Sequence, residues 1–445
     1  MRSPERGLMN VVLISMDTTR ADHLGCYGWH RNTSPHIDGI AEQGVLFETC
    51  FSTGIPTHPA HTTMLTGCDV MEHGVVAQGA NTDLAPSIPT LAERLKAHGY
   101  WTGAADNLKR WFTRGFDCYE GYQWARDPQG GWRKGEAVAE TALRVLGQAA
   151  AQERPFFVFL HFWDPHTPYL PPAPFDRMFY TGNERDPAHR SMEPVLNFPP
   201  FQYYFRQWMG SVTDIEFPKA QYDASIAYMD LCLQHVFQRL EDLGVAAETL
   251  VILTADHGEE MDEHEMWFDH HGLYDTNLHV PLIMRLPGVL PAGKRVTGQV
   301  RLMDIVPTVL ELLGLEQSVD PGCFQGRSVL PALTGGLPKG AAETLFLTEC
   351  TWMRKRGVRT EDWKLIVARD HPDIHGRPPV ELYHLPTDPT EQHNLVDTRP
   401  EVAKHLNEEL ESWRTRRLRE TGRPDPLEEQ EITLKQIGAP PAQGA

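Results

Sequence analysis

Short apolar runs alternate with amphipathic segments along most of the chain. Polar residues do not alternate with apolar ones in these runs, which is typical of strands buried on both faces of a sheet. They are NVVLIS (10–15), YWTGAA (100–105), PFFVFLHFW (155–163), TLVILTA (249–255) and VPLIMRLPG (280–288). Helical patterns lie between or after them, at 88–99, 135–150, 220–244 and 303–314. This alternation predicts an α/β fold, in which helices flank a mixed, mostly parallel sheet.

The C-terminal part has a different character. Antiparallel strand and turn patterns replace the long apolar runs, and a helical pattern begins at about Pro400. We expect a catalytic domain over residues 1–342 and a smaller α+β subdomain with an antiparallel sheet over 343–424. The tail, 425–445, is rich in proline and glutamate, so we expect it to pack poorly.

Residues 168–218 interrupt the alternation with a long irregular insert. The insert combines many aromatic side chains with prolines and charges. An insert of this length is typical of a loop that covers a substrate or of an interface with another subunit. Its composition fits both, so homo-oligomerisation is left open.

The charge and cysteine content narrow the range of partners. The net charge is −19, which argues against nucleic acid or an anionic membrane as the main partner. A bound metal ion could still attract an anionic ester locally. The seven cysteines are scattered, without a C-x-x-C pair, and no stretch is long enough to span a bilayer. We therefore expect a cytoplasmic protein in a reducing compartment.

Polar residues collect where the apolar runs end. Asp17 follows the first run, Asp164 and His166 follow 155–163, and Asp256 and His257 follow 249–255. Open α/β sheets place their sites at such strand ends. One such aspartate could merely cap a helix, but three ends with Asp or Asp and His indicate a divalent metal site. Imidazole ligands favour Mn or Zn over Ca.

The segment GIPTHPAHTTMLTG, residues 54–67, offers a nucleophile. Pro59 suits the first turn of a helix, which places Thr57 at its start. A nearby metal ion and the helix N-terminus would favour a deprotonated Thr57 hydroxyl and an attacked anionic ester. The alternative interpretation is that Thr57 only caps this helix.

These motifs together resemble the sulfatase branch of the alkaline phosphatase superfamily over almost the whole chain. The family's activation signature, Cys/Ser-x-Pro-Ser-Arg-x-x-x-Leu-Thr-Gly, is similar to the sequence from Thr57 to Gly67. Further elements match in order: MDTTRADHLGCYG, DPHTPYLPP, TADHGEE, LYDTNLHVPLIMRLPG, WKLIV and ELYHLPTDPTEQHNL. This ordered set implies the alkaline phosphatase and sulfatase fold.

The sequence departs from the family pattern at several charged positions. Thr57 replaces the formylglycine precursor and cannot be oxidised to an aldehyde. His61 replaces the signature arginine, and the expected lysines are out of register near GAADNLKRW and missing from FDHHGLYD. Cations that hold sulfate are therefore lost, and imidazoles are gained.

The resemblance implies a set of site residues. One metal ion is expected on Asp17, Thr57, Asp256 and His257. Two-metal members of the superfamily bind a second ion, and its candidate ligands here are Asp164, His166 and His271. His264 and His270 are alternates. If only one ion binds, these histidines would hold ester oxygens or lie in a polar loop. Mn or Zn is favoured over Ca or Mg.

The resemblance also implies a reaction on a small anionic ester. Thr57 would attack, His58 or His61 would lie near the ester oxygens, and His166 or His271 would protonate the leaving oxygen. Threonine nucleophiles belong to the superfamily's phosphodiesterases and phospho-group transferases. We therefore expect hydrolysis of a phosphodiester, phosphonate monoester or phosphomonoester. The alternatives are a sulfatase that uses Thr57 directly and a non-catalytic, metal-stabilised binding protein.

Overall fold

The computed structural model describes residues 9–79, 81–128, 130–316, 323–335, 344–370, 372–430 and 432. The strands in this part of the chain are Asn10–Met16 (β1), Val45–Phe51 (β2), Gly54–Ile55 (β3), Trp101–Ala105 (β4), Cys118–Glu120 (β5), Ala125–Arg126 (β6), Trp132–Arg133 (β7), Phe156–Phe162 (β8), Thr249–Thr254 (β9), His279–Arg285 (β10), Lys294–Arg301 (β11), Leu345–Cys350 (β12), Arg354–Arg359 (β13), Trp363–Ala368 (β14) and Val380–His384 (β15). Each of the five predicted strand runs is found as a strand.

The α-helices in the same ranges are Pro35–Glu42 (α1), Thr57–Thr66 (α2), Val70–His73 (α3), Leu91–Ala97 (α4), Lys134–Ala150 (α5), Glu193–Leu196 (α6), Gln202–Met209 (α7), Glu216–Asp242 (α8), Asp275–Leu278 (α9), Ile305–Leu312 (α10), Ala332–Gly335 (α11), Pro400–Thr421 (α12) and Pro426–Glu429 (α13). Helices α4, α5, α8 and α10 correspond to the four predicted helical patterns.

The large sheet has the order β11-β2-β10-β9-β1-β8-β4-β5. Strands β9, β1, β8, β4 and β5 are parallel to their neighbours within this run, whereas β10 is antiparallel to both β9 and β2. The prediction of a mixed, mostly parallel sheet is confirmed. The run VPLIMRLPG forms the antiparallel strand β10, a direction that its apolar pattern does not specify.

Strand β1 shows how the two faces of the sheet are covered. Val12 and Ile14 point into a core shared with α5 and α8, whereas Val11 and Leu13 point into the opposite core, which includes α2, α4 and α10. Side chains alternate between faces along a strand, so the run from Val11 to Ile14 needs to be apolar throughout. The sheet is therefore buried on both sides between helical layers.

The smaller sheet carries the predicted C-terminal α+β region. Strands β12 to β15 pair in antiparallel order, and α12 packs on the sheet. Strand β3, residues 54–55, pairs in parallel with β12 at its edge. The segment that leads into Thr57 is therefore anchored on the second sheet, and the domain boundaries 1–342 and 343–424 stay predictions.

The beginning of the predicted tail differs from our expectation. Leu427 is fully buried, and Asp425 forms ion pairs with Arg356 and Arg414. Asp425 also caps α13 through the backbone amide of Leu427. The burial of one leucine and the neutralisation of two arginines hold residues 425–430 against the smaller sheet. Residues 431 and 433–445 lie outside the described residues.

The insert, 168–218, is largely irregular but packs against the large domain. Its short helices α6 and α7 support buried Phe201 and Phe205, which join the core that contains α8. Tyr169 is also fully buried there. No helix in the described parts of the chain is both long and apolar enough to cross a membrane.

Candidate active site

Two neighbouring strands of the large sheet end at the predicted site. β1 and β9 are parallel, with Ser15 opposite Thr254, so the residues that follow both strands emerge at one edge. Asp17 follows β1, and Asp256 and His257 follow β9; all three are fully buried. Their donor atoms lie within 4.8 Å of one another, and no other trio of potential ligands in the described ranges is so close.

Thr57 reaches this group from another direction. It is the first residue of α2 and follows β3 and Pro56. Its side-chain Oγ1 lies 3.2 Å from Nε2 of His257. Pro56 occupies the cap position of α2, and its side chain cannot accept a hydrogen bond. The geometry thus favours a role for the Thr57 hydroxyl in the site over a role as a helix cap.

The orientation of His257 suits a metal ligand. Nδ1 lies 3.0 Å from the carbonyl oxygen of Gly258, which can only accept, so in the neutral ring Nδ1 carries the proton and Nε2 presents a lone pair. This lone pair faces Asp256 Oδ2 at 3.2 Å and Asp17 Oδ1 at 3.9 Å. Neither buried oxygen has a hydrogen-bond partner among the described residues. Facing lone pairs repel, so the donor set fits a divalent cation.

His161, which sequence reasoning missed, lies behind Asp17. Its Nε2 is 3.2 Å from Asp17 Oδ2, and its Nδ1 is 2.9 Å from Asp106 Oδ1. Burial disfavours the charged ring, but the two carboxylates prevail and raise the pKa of His161 to about 10. The imidazolium also helps to lower the pKa of Asp17. His161 lies inside the apolar run 155–163, and a histidine buried in such a strand needs a polar partner. This position in the sequence could have indicated a role for His161 in the site.

His61 is equally buried but neutral. Its Nδ1 lies 2.9 Å from the carbonyl oxygen of Thr57, so Nδ1 carries the proton. Nε2 then accepts from the hydroxyl of Ser15 at 2.9 Å. Burial lowers the pKa of His61, and the carboxylate of Asp256, 3.5 Å from Nδ1, offsets this only in part. The predicted residue therefore lies at the site as an uncharged imidazole that holds the start of α2.

His166 lies two residues before the insert, on the loop that follows β8. Its Nδ1 is 2.8 Å from the carbonyl oxygen of Thr167, so Nε2 presents a lone pair. Burial lowers the pKa of His166 to about 4, although the charge of Asp17 opposes the shift. The ring centre lies 5.0 Å from that of His270. His166 is therefore a neutral acceptor close to the strand-end group of Asp17, Asp256 and His257.

His270, an alternate candidate, is positively charged, whereas His166 is neutral. Its ring stacks on that of His257, with centres 4.6 Å apart. Nδ1 lies 3.6 Å from Glu259 Oε1 and 3.5 Å from Asp269 Oδ1. Burial lowers the pKa, but these carboxylates raise the pKa of His270 to about 10. His270 thus provides positive charge beside the strand ends, where the family pattern led us to expect a lysine nearby.

The predicted second metal site is not assembled. Asp164, His166 and His271 do not bring donor atoms within 4.8 Å of one another, as judged over the described residues. Asp164 instead lies 3.9 Å from the ammonium of Lys134, and Nε2 of His271 lies 2.5 Å from Nε2 of His375. Two of the three side chains thus have partners outside the predicted trio.

Two other predicted histidines also lie outside the strand-end group. His264 stacks on Tyr274 and lies 3.2 Å from Glu260 Oε2. His58 accepts a hydrogen bond from the backbone amide of Gly79. Its burial lowers the pKa to about 4. Neither residue meets the ligand geometry of the strand-end cluster.

Comparisons with known proteins match most of the chain. The profile described as Sulfatase matches residues 9–315, and the profile described as N-sulphoglucosamine sulphohydrolase, C-terminal, matches residues 262–416. Iduronate 2-sulfatase of Homo sapiens is 23% identical over 397 residues, which cover 71% of this chain and 70% of that relative. The multifunctional alkaline phosphatase superfamily protein PehA of Trinickia caryophylli is 26% identical over 408 residues, with coverages of 74% and 78%.

A solved structure shows the same architecture. The phosphonate monoester hydrolase of Agrobacterium radiobacter superposes with a TM-score of 0.72 and 24% identity, covering 97% of this chain and 100% of that chain. At this identity the similarity shows the fold. It agrees with the large mixed sheet flanked by helices and the smaller antiparallel sheet described above.

Proposed function

The chain belongs to the sulfatase family of the alkaline phosphatase superfamily, a family of ester hydrolases, and on that premise we propose that it hydrolyses phosphoric or phosphonic esters through Thr57. The observation that carries the proposal is the Thr57 hydroxyl, 3.2 Å from His257 Nε2 within the buried group of Asp17 and Asp256. Threonine cannot become the aldehyde hydrate of formylglycine sulfatases, so the hydroxyl itself has to attack.

The strand ends and Thr57 would together hold one divalent cation. Asp17, Asp256 and His257 offer two carboxylates and an imidazole, a mixture that favours Mn or Zn over Ca or Mg. Such a cation would favour the deprotonated hydroxyl of Thr57 and offset negative charge on the ester oxygens.

The protein groups supply the remaining parts of the reaction. Thr57 Oγ1, after losing its proton to water, forms a bond to phosphorus, and the bond from phosphorus to the leaving oxygen breaks. The N-terminus of α2 attracts the anionic ester, while His161 keeps Asp17 ionised. Water then attacks the phosphothreonine and returns a proton to the threonine oxygen.

We assign protonation of the leaving oxygen to His270 rather than to His166 or His271. The pKa of His270, raised to about 10 by its carboxylate neighbours, keeps the ring charged at neutral pH. His166 presents a lone pair at Nε2, which suits it to accept a hydrogen bond from the attacking water. His271 contacts His375 instead of the strand-end group.

The similarity to proteins with phosphorus-based names supports the choice of phosphorus over sulfur. PehA is named a multifunctional alkaline phosphatase superfamily protein, and the superposed structure is a phosphonate monoester hydrolase. Sulfatases are also among the relatives, so a sulfuric ester hydrolase that uses Thr57 directly is the second candidate. The loss of the family's signature arginine at His61 weighs against sulfate.

One set of assays separates the candidates. The metal-reconstituted protein is given an aryl phosphate, an aryl phosphodiester, an aryl phosphonate monoester and an aryl sulfate in parallel. We expect kcat/KM for a phosphorus ester to exceed that for the sulfate, and Thr57→Ala to abolish all turnover. A preference for sulfate would establish the second candidate. Metal binding without turnover of any ester would favour a binding protein.

A further inference from the structure

Lys134 is a buried cation that the proposed reaction does not use directly. It is the first residue of α5, and only 3% of its surface is exposed. Its ammonium donates to the carbonyl oxygen of His166 at 2.6 Å and lies 3.9 Å from Asp164 Oδ1. The ring of Trp124 lies beside it, with the centroid 5.7 Å from Nζ. A buried lysine needs a compensating contact, and this one finds it on the loop that carries His166.

The loop from Asp164 to Thr167 connects strand β8 to the insert. It has no helix or strand of its own, so side-chain contacts decide where His166 is held. One backbone bond, from the amide of His166 to the carbonyl of Trp163 at 2.9 Å, folds it into a turn. The ammonium of Lys134 anchors the other side of the same residue, at the His166 carbonyl.

The charge of Lys134 also acts on the His166 ring. Burial and the cations His270 and Lys134 favour the neutral imidazole, while Asp17 opposes them. The same ammonium interacts electrostatically with Asp17 and Glu259. Lys134 therefore holds the backbone of His166 and favours the neutral form of its ring, in which Nε2 has a lone pair.

We propose that Lys134 is a positioning residue, which holds His166 in place and contributes to turnover through it rather than by touching the ester. This inference rests on the proposed function, in which His166 accepts a hydrogen bond from the attacking water. Outer partners that orient metal ligands typically contribute about 10–100-fold to activity, and we expect an effect of similar size for Lys134.

A double-mutant cycle tests whether Lys134 acts through His166. The variants are Lys134→Met, which keeps the length of the stem without the charge, His166→Ala, and the two combined. We expect Lys134→Met to lower kcat/KM for the preferred ester by about 10-fold or more. In the His166→Ala background, Lys134→Met should alter kcat/KM by no more than about twofold. Effects of independent substitutions combine to within about this factor, so a smaller change counts as no effect.

Lys355→Met is the matched control, because Lys355 is also buried and pairs with a carboxylate, Asp373, at 2.9 Å. Its effect on kcat/KM should be the same with and without His166. The inference is overturned if Lys134→Met lowers kcat/KM by the same factor with and without His166. It is also overturned if His166→Ala leaves kcat/KM unchanged. The Thr57→Ala assay tests the proposed function separately.

Melting temperature and metal content are measured for every variant, so that unfolding is not mistaken for lost positioning. If Lys134→Met does not fold, Lys134→Gln takes its place in the cycle, since its amide can still donate to the His166 carbonyl. A value of kcat/KM for Lys134→Gln close to that of the wild type supports the positioning role, because the hydrogen bond to His166 is kept. A loss of kcat/KM that persists equally in the His166→Ala background contradicts it.

Discussion

The strand-end group of Asp17, Asp256 and His257 and the loop group of Asp164, His166 and His271 are built differently. The first three residues follow the neighbouring strands β1 and β9, and their donor atoms lie within 4.8 Å of one another. The loop group disperses: Asp164 faces Lys134, and His271 faces His375. Both groups contain a carboxylate and an imidazole, but only the first has the geometry of a metal site.

The difference shows what a parallel sheet fixes and what a loop leaves open. Register between β1 and β9 sets the separation of the residues that follow them, whatever the connecting helices do. Asp164 follows β8, the other neighbour of β1, but its chain turns away towards α5. A position at the end of a strand is therefore not sufficient to make a residue a metal ligand.

The largest expected effect separates Thr57 from the loop group. Thr57→Ala should fold but lower kcat by about 10³-fold or more, since the nucleophile is lost. Thr57→Ser should keep measurable activity because the hydroxyl remains. Steady-state kinetics on the preferred ester provide the measurement. Near wild-type turnover by Thr57→Ala would break the comparison, because the strand-end group would then have no reacting partner.

Metal content compares two buried aspartates that follow the two strands on either side of β1, which are β9 and β8. Asp256→Asn should weaken metal binding by more than the roughly 10–100-fold typical of an outer contact, because a charged ligand is removed. Asp164→Asn, the matched control, should bind about as much metal as the wild type. Elemental analysis after dialysis measures both. Equal losses in the two variants would place Asp164 in the metal site after all.

An effect of intermediate size is expected from Asp164 of the loop group, on the pH dependence of the free energy of unfolding. Burial raises the pKa of Asp164 to about 6, despite the nearby Lys134. The protonated carboxyl therefore stabilises the fold at low pH, and this contribution is lost as the pH rises through about 6. Between pH 4 and 6 the free energy of unfolding should fall relative to that of Asp164→Asn by at most about 1.4 kcal/mol per pH unit.

Urea unfolding of the wild type and Asp164→Asn at several pH values measures this difference, in which the titrations of other carboxylates largely cancel. Parallel curves for the two proteins would show that Asp164 is ionised at no extra cost. That outcome would contradict the burial of its carboxylate beside α5.

The smallest expected effect belongs to His271. Its Nε2 faces His375 and not the strand-end group. His271→Ala should therefore leave the metal content unchanged and lower kcat/KM by less than about 10-fold, below the usual effect of a general acid. Elemental analysis and kinetics on one preparation check both values. Loss of one of two bound ions would restore the two-metal interpretation.

The comparison also explains which parts of the site could be predicted. The elements around Thr57 could be predicted because the proline pattern and the end of an apolar run are local signals. The charges of two neighbouring histidines could not. His61 and His161 are both fully buried, with ring centres 4.6 Å apart, yet only His161 lies between two carboxylates. Asp106, its partner, is 55 residues away in the chain.

The sequence by itself determined the α/β class, the main strands and helices, and the strand ends that carry Asp17, Asp256 and His257. Hydrophobic periodicity encodes these features locally, since burial on one or two faces dictates the pattern. Only the tertiary structure decided that β10 runs antiparallel, that β3 joins the second sheet, and that Lys134 lies beside Asp164. These depend on contacts between distant segments, whose partners no local pattern specifies.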